Sequence, residues 1–386
     1  PRNDEPLLVY RDSIFFNPPL MDDFVRRAVA SGKAAQVAFS PDDAAIVHHM
    51  THLQDGLKLQ DGLWRGELWY FPHGWQPEAD PIVIDTEPME LGYYQVPHYV
   101  VENGNFVYHV PIKAFIPIES WVAVMLTNSL FGVLGWARRL LKEKDSLGIK
   151  LHILSRVLWE RKHPLASSAL VRIGRNCKID PNVIIHGPTV IGNNVVIGAG
   201  SMIVSSVIGD NVNIMHGAQI VLSMVSNGCY IPFRAALYGT SFMENTMVAQ
   251  NTVLQGCVIG RNTFIGGGNT FTDYNLLGNP ITTMHRGKLE PVGLAACGCA
   301  VGHDCRIGAG FVFYPGRTVE SGTILIYRGD AAVVDHNVTA EMVGRDPRVV
   351  RLYTTDSLVI NDDIAPSTLE TALPPAVQLQ EAGRVR

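Results

Sequence analysis

Charge is scarce in this chain of 386 residues: only 17% are Asp, Glu, Lys or Arg, and the net charge is −5 at neutral pH. That balance excludes the basic footprint of a nucleic-acid binder. Scarce charge beside 47% hydrophobic residues also excludes an intrinsically disordered chain. Cysteine is sparse too, and six thiols are too few for a disulfide scaffold. The polar opening Pro1–Glu5 carries no secretory pattern, so a reduced, cytoplasmic setting is expected. A start at Pro1 rather than Met implies that an initiator methionine or a longer leader has been lost. Long apolar runs are missing. The nearest approach is residues 121–137, with Thr127, Asn128 and Ser129 at the centre, Glu119 before it, and Arg138, Arg139, Lys142 and Lys144 after it. A membrane-spanning helix needs about 20 mostly apolar residues, so this segment reads as a buried core helix. An in-plane membrane or partner-docking helix is the alternative.

Glycine is abundant, at 36 residues, with 23 prolines. That argues against long helices and for many short strands joined by tight turns. An internal repeat confirms the direction. A branched aliphatic recurs every six residues at Ile173, Ile179, Ile185, Ile191, Ile197 and Ile203. The series drops one residue at Ile208 and continues through Ile214 and Ile220. It resumes at Met247, Val253, Ile259, Ile265, Phe271 and Leu277, then at Ala295, Val301, Ile307, Phe313 and Val319. A period of six fits neither a helix nor a flat amphipathic strand. It fits a triangular solenoid, a left-handed parallel β-helix in which three short sides make one coil and identical positions stack. The residue two before each aliphatic also points inward, where space is small: Cys177, Val183, Thr189, Val195, Ser201, Ser206, Val212 and Ala218. Asparagines and glycines between these positions suit corners with positive φ. Asn251 and Asn269 are expected to form an amide ladder inside the prism. Two stretches break the period, Val221–Thr246 and Gly278–Leu294, and both are expected to be surface loops on a binding face.

The expected architecture is α/β plus β-solenoid. A small mixed α/β domain covers 1–115, a helical connector 116–168, the left-handed β-helix 169–328 and an extended C-terminal arm 329–386. In the first domain, Leu7–Tyr10, Ala35–Phe39, Glu67–Phe71, Ile82–Asp85 and Phe106–Pro111 read as strands. Asn17-Pro18-Pro19 reads as a helix start with an apolar stripe at Leu20, Phe24, Val25 and Ala28. Asp42–Leu53 reads as a second helix.

Three segments resemble one family. Tyr10-Arg11-Asp12-Ser13-Ile14-Phe15-Phe16, Ile231-Pro232-Phe233-Arg234 and Ile265–Asn275 are similar to blocks of the bifunctional sugar-1-phosphate nucleotidyltransferases. The resemblance implies a reduced nucleotidyltransferase-like domain before an acyltransferase-type β-helix. It further implies a homotrimer, with a sugar-phosphate and acetyl-CoA cleft between subunits. It points to Arg234, Tyr274 and Asn275 as ligand contacts. The departures are specific. The N-terminal region has no glycine-rich phosphate loop, and the coil expected to carry the family's catalytic His between Ile259 and Gly266 is missing. No lysine stands near Gln255, and the second arginine after Phe233 is replaced.

Other candidates come from the residues themselves. His285, with Arg286 and Lys288 beside it, fits a general base flanked by cations for a phosphate or a coenzyme A tail. His303 lies 18 residues after His285 and points outward in the repeat. Cys297, Cys299, His303 and Cys305 have the composition of a zinc site, but Cys177, Cys257, Cys299 and Cys305 fall in the small inward slot and read as buried hydrophobes. His48 and His52 share a helix face without a metalloprotease glutamate, and His186 and His216 lack a third partner, so no metal is expected. The expected activity is acyl transfer from an acyl-CoA to an amino or hydroxyl group of a sugar nucleotide. The alternative is a non-catalytic trimeric scaffold or binding protein.

Overall fold

The computed structural model describes residues 5–93, 106–134, 168–327 and 332–351, with Gly148, Leu151, Ser155, Arg156 and Trp159 besides. From Val171 the chain winds into a three-faced, left-handed prism of parallel strands. Face I stacks eight strands from Val171–Ile173 to Thr318–Val319, and face III stacks eight from Ile184–His186 to Val333–Val334. Face II starts at Lys178–Ile179 and ends at Thr323–Leu325, to which Val349–Arg351 adds one antiparallel strand. The solenoid therefore runs on to Val334, and part of the expected arm closes its end. The rest of the arm lies outside the described residues.

The first coil repeats after eighteen residues, with Val171 opposite Thr189, whereas the next repeats after seventeen, with Val190 opposite Val207. The missing residue always falls at the corner between faces III and I. This corrects one sequence expectation. Val221–Thr246 is no insertion: Met224–Val225, Tyr230–Ile231, Ala236–Tyr238 and Ser241–Phe242 stack in register as ordinary coils. A strict six-residue template slips once per coil there, which also misassigns Met247 and Val253. The inward residues are Val248 and Leu254, both fully buried. Leu277 and Ala295 are exposed rather than inward.

The small slot behaves as its size predicts. Thr189, Val195, Ser201, Ser206, Val212 and Ala218 are fully buried, as are Cys257, Cys299 and Cys305. Buried hydroxyls need partners, and the neighbouring coil supplies them: Ser201 Oγ donates to Met215 O at 2.8 Å and Thr252 Oγ1 to Gly266 O at 3.0 Å. Cys305 Sγ does the same toward Glu320 O. Asn269 sits in this slot, donating to Gly266 O and Gly308 O and accepting from Phe311 N. The expected Asn251–Asn269 ladder is absent among the described residues, because Asn251 is an exposed corner residue with φ 56°. The amide ladder runs outside, between faces I and II. Asn176, Asn194, Asn211, Asn245, Asn262 and Asp304 all have φ of 55–57°. Asn176 donates to Asn194, Asn194 to Asn211, Asn245 to Asn262 and Asn262 to Asp304. Asn tolerates this left-handed conformation better than other side chains.

The N-terminal domain is a five-stranded sheet over a small core. Its strands are β1 (Leu7–Tyr10), β3 (Ala35–Phe39), β4 (Leu57–Gln60), β5 (Leu63–Phe71) and β6 (Asp80–Val83). Separate pairs join β2 (Ile14–Phe16) to β9 (Phe115–Pro117) and β7 (Met89–Tyr93) to β8 (Phe106–Val110). Helix α1 (Pro18–Ser31) starts at the expected place, buries Leu20, Phe24 and Ala28, and is capped by Asn17, whose Oδ1 accepts from Leu20 N. Helix α2 is shorter than expected, Ala44–His49: Asp43 caps its start and also binds Thr86, and the helix ends at Met50.

Trp121–Met125 (α3) continues as a π-helical turn over Leu126–Leu134. Val122, Met125, Leu126, Leu130 and Phe131 are buried in the same core as Phe39, Phe115, Val258 of the prism and Cys297 just before Ala300. This segment is thus a core helix, as expected for its described part. No helix among the described residues is long and apolar enough to cross a membrane. Most of the remaining connector lies outside the described residues.

Two measurements check this account. Phe271 and Phe313 stack in adjacent coils at 4.1 Å, so Phe313→Ala should cost about 3–5 kcal/mol in denaturant unfolding. His49 is held neutral, its pKa pushed down to about 3 by burial and then by His109 and His48. Its Nε2 accepts the His109 backbone N–H at 2.8 Å and its Nδ1 is buried without a partner among the described residues. Unfolding lets it take a proton at its ordinary pKa of about 6.5. Stability should therefore be full above that pH and fall as pH drops toward about 3, with His52 and His109, whose pKa values are also lowered, acting in the same sense. His49→Gln should flatten the urea-midpoint slope between about pH 6.5 and 4.5.

Candidate functional site

The second irregular stretch is a real insertion. After Phe271 the chain leaves the prism and returns at Ala300, while Ile259 still pairs with Val301 as though nothing intervened. Within it, Thr282–His285 and Lys288–Pro291 form a hairpin whose turn residues Arg286 and Gly287 have φ of 49° and 79°. Two positive φ values in a two-residue turn match the right-handed twist of the strands.

The hairpin faces the N-terminal domain. Trp121 Nε1 donates to buried Thr283 Oγ1 at 2.9 Å, and Ile281 and Val292 join the N-terminal core. A Cβ on Gly293 would collide with the His52 ring, so only glycine fits there. Arg286 pairs with Asp55 and with Glu119, and Glu119 also binds Arg11 at 3.2 Å. Arg11 reaches Glu67 as well. The Arg286 guanidinium thus adds a charged link between hairpin and domain to these apolar contacts. His285 is 8% exposed, its Nδ1 lies 3.1 Å from Glu290 Oε2, and its Nε2 is buried with no partner among the described residues. Lys288 is exposed. Asn275 organises its own loop, donating to Asn279 O and accepting from Leu277 N. Tyr274 is half-buried next to it.

Arg234 sits elsewhere. It occupies the corner between faces II and III with φ 58°, its N–H donating to His216 O. Tyr274 follows face III at the next corner, so these two candidates are not brought together on one corner of the prism. His303 belongs to the outer ladder, where its Nδ1 accepts from Arg261 N at 2.9 Å. No three His, Cys, Asp or Glu side chains converge to hold a metal among the described residues. Burial pushes Cys257 up to about 12 and Cys297 and Cys299 well above the ordinary thiol value, so these thiols are not nucleophiles at neutral pH.

One feature was missed from sequence. Ser205, Leu222, Gly239, Gly256 and Asp273 recur every seventeen residues and form one row along the corner between faces III and I. At about 4.8 Å per coil the row spans roughly 19 Å. Beside it lies a cleft of about 330 Å³, walled by Met125 and Leu130 of the connector helix, by Tyr108, and by Val204, Val221 and Tyr238 of face III. Asp273 ends the row. Burial raises the pKa of its carboxyl from the ordinary value. The seventeen-residue spacing was the signal for it, hidden because a six-residue template does not register it.

The bacterial transferase hexapeptide model, six repeats, matches residues 171–204. Over 157 residues the chain is 29% identical to the bifunctional protein GlmU of Baumannia cicadellinicola subsp. Homalodisca coagulata, a match covering 39% of this chain and 34% of GlmU. The chain therefore spans about a third of that relative. Among solved structures it is similar to the UDP-N-acetylglucosamine acyltransferase from Campylobacter jejuni, with 17% identity, TM-score 0.29, and 45% and 71% of the two chains covered. It is also similar to LpxA, a UDP-N-acetylglucosamine acyltransferase from Bacteroides fragilis, with 16% identity, TM-score 0.20, and 44% and 70% covered. Residues 171–204 thus carry the hexapeptide repeat of bacterial transferases, and the three-faced solenoid continues that repeat to Val334.

Proposed function

We propose that the chain transfers an acyl group from an acyl-CoA to a hydroxyl or amino group of a sugar nucleotide or a related small molecule. The observation that carries this reading is the apolar cleft ending at a desolvated carboxyl, Asp273. Burial tunes a carboxyl toward neutral pH, which is what a general base requires. The acceptor lone pair attacks the thioester carbonyl as Asp273 takes the acceptor proton. The C–S bond then breaks, and coenzyme A leaves as its thiol after taking that proton. Tyr274, next in the chain, contacts the acceptor. Met125, Leu130 and Val221 hold the acyl portion out of water, and Lys288, exposed on the hairpin, is assigned to the coenzyme's phosphates. His285 is the second candidate base, oriented by Glu290, and needs the hairpin to lift before its Nε2 meets solvent. Arg234 and Asn275 complete the proposed contacts from their separate positions. The chain works as a homotrimer through the prism; exposed Met247 and Phe264 stack in adjacent coils of face II and support self-association.

A second reading is a binding scaffold without catalysis. Arg286, expected at substrate, is instead spent on Asp55 and Glu119, which favours this alternative.

Incubation with acetyl-CoA or a longer acyl-CoA and UDP-sugars, followed by mass spectrometry, should show an acylated product. Asp273→Asn should lower kcat by about 10²–10⁴, and a larger loss in His285→Gln would transfer the base role to His285. No product, together with no thermal shift from any acyl-CoA, would leave the scaffold. Arg286→Ala should lower stability by about 1 kcal/mol with KM unchanged; a raised KM at unchanged melting temperature would place Arg286 at the substrate.

A further inference from the structure

The N-terminal sheet has an outer face that the acyl-transfer reading does not use. Opposite its core, Val9, Gln36, Gln60, Arg65, Trp69 and Phe71 form the floor of a pocket of about 600 Å³. The loop from Trp75 to Pro81 forms its wall. That volume falls within the range of about 300–1,000 Å³ found for small-molecule sites.

The lining has a distinct chemistry. Two indoles, Trp69 and Trp75, offer π-faces that attract the slightly positive C–H edges of a ring ligand, with Phe71 buried beneath. Trp75 stands 70% exposed on the pocket wall, its ring open to a ligand. Gln36 donates one hydrogen bond to Gly66 O at 3.0 Å, which leaves its side-chain oxygen to accept. The amides of Gln60 and Gln76 add donors and acceptors of both kinds. Arg65 is paired with Asp61 through one terminal nitrogen, while its Nε is buried without a partner among the described residues. A buried donor of that kind calls for an acceptor.

Charge narrows the ligand. The one guanidinium in the lining is already matched by Asp61, and Glu78 and Asp80 contribute carboxylates, Asp80 paired with exposed Lys33 at 3.4 Å. A phosphate group would meet net repulsion. A neutral ring bearing several hydroxyls would not, since carboxylates and amides accept from hydroxyls while indoles cover the apolar ring face. We infer that this pocket binds a neutral saccharide, with Trp75 and Trp69 stacking on it and Gln36, Gln60 and Arg65 fixing its hydroxyls. The inference stands independently of acyl transfer, because the pocket lies on the sheet and not on the prism.

Isothermal titration of the full chain with cellobiose, maltose and N,N′-diacetylchitobiose tests it, with adenosine and glucose 6-phosphate as the competing chemistries. Saturable binding of at least one disaccharide is expected, weakened roughly tenfold by Trp75→Ala. Exposed Trp75 can be removed without unfolding the sheet, which an unchanged melting temperature checks. Arg65→Met should weaken binding as well. Absence of saturable heat with all three disaccharides, tighter binding of adenosine or glucose 6-phosphate, or unchanged affinity in Trp75→Ala would overturn the inference.

Discussion

Everything in the prism depends on the hydrogen-bonded stacking of one coil on the next. Each coil must return to the same three corners, so the backbone of one coil supplies the partners of the following one. Val196 N donates to Val212 O and Asn213 N to Cys229 O, and the pattern repeats along the axis. That constraint sets the size of the inner slot, and hence the run of Ser, Thr, Ala and Cys facing inward. It also sets the corners, where Asn and Gly take positive φ and the amide ladder locks neighbouring coils together. Slot hydroxyls and thiols that donate to carbonyls one coil away satisfy the same need from inside.

The insertion after Phe271 works because stacking does not need sequence continuity. The chain can leave at one corner and return at the same corner, and the excursion becomes a hairpin free to dock on the other domain. It docks through apolar contacts at Ile281 and Val292 and through Arg286 between Asp55 and Glu119. The connector helix packs over the adjoining corner and thereby creates the cleft that ends at Asp273. The candidate site is thus a product of docking two units, with neither forming it alone.

The repeat made most of the prism legible. Six-residue spacing located the inward aliphatics at Ile191, Ile197 and Ile203, and the slot residues from Thr189 to Ala218. It failed through Val221–Thr246 for a stated geometric reason: a corner one residue shorter shifts the phase once per coil. The site was less legible. His285, Arg286 and Lys288 are adjacent in sequence, yet the hairpin sends them to different surroundings: His285 inward onto Glu290, Arg286 onto the N-terminal domain, Lys288 into solvent. Asp273 stood in plain view beside Tyr274 and carried no signal of its own until its corner row was assembled.

The sequence by itself determined the local rules: which positions are small, which are branched, and which corners take Asn or Gly. Those rules repeat every few residues and so can be read from spacing alone. Only the tertiary structure decided which side chains meet across the domain boundary. Contacts such as Trp121 with Thr283, Gly293 with His52 and Arg286 with Glu119 join residues far apart in the chain. No periodicity encodes them, because they depend on how two separately folded surfaces come to rest against each other.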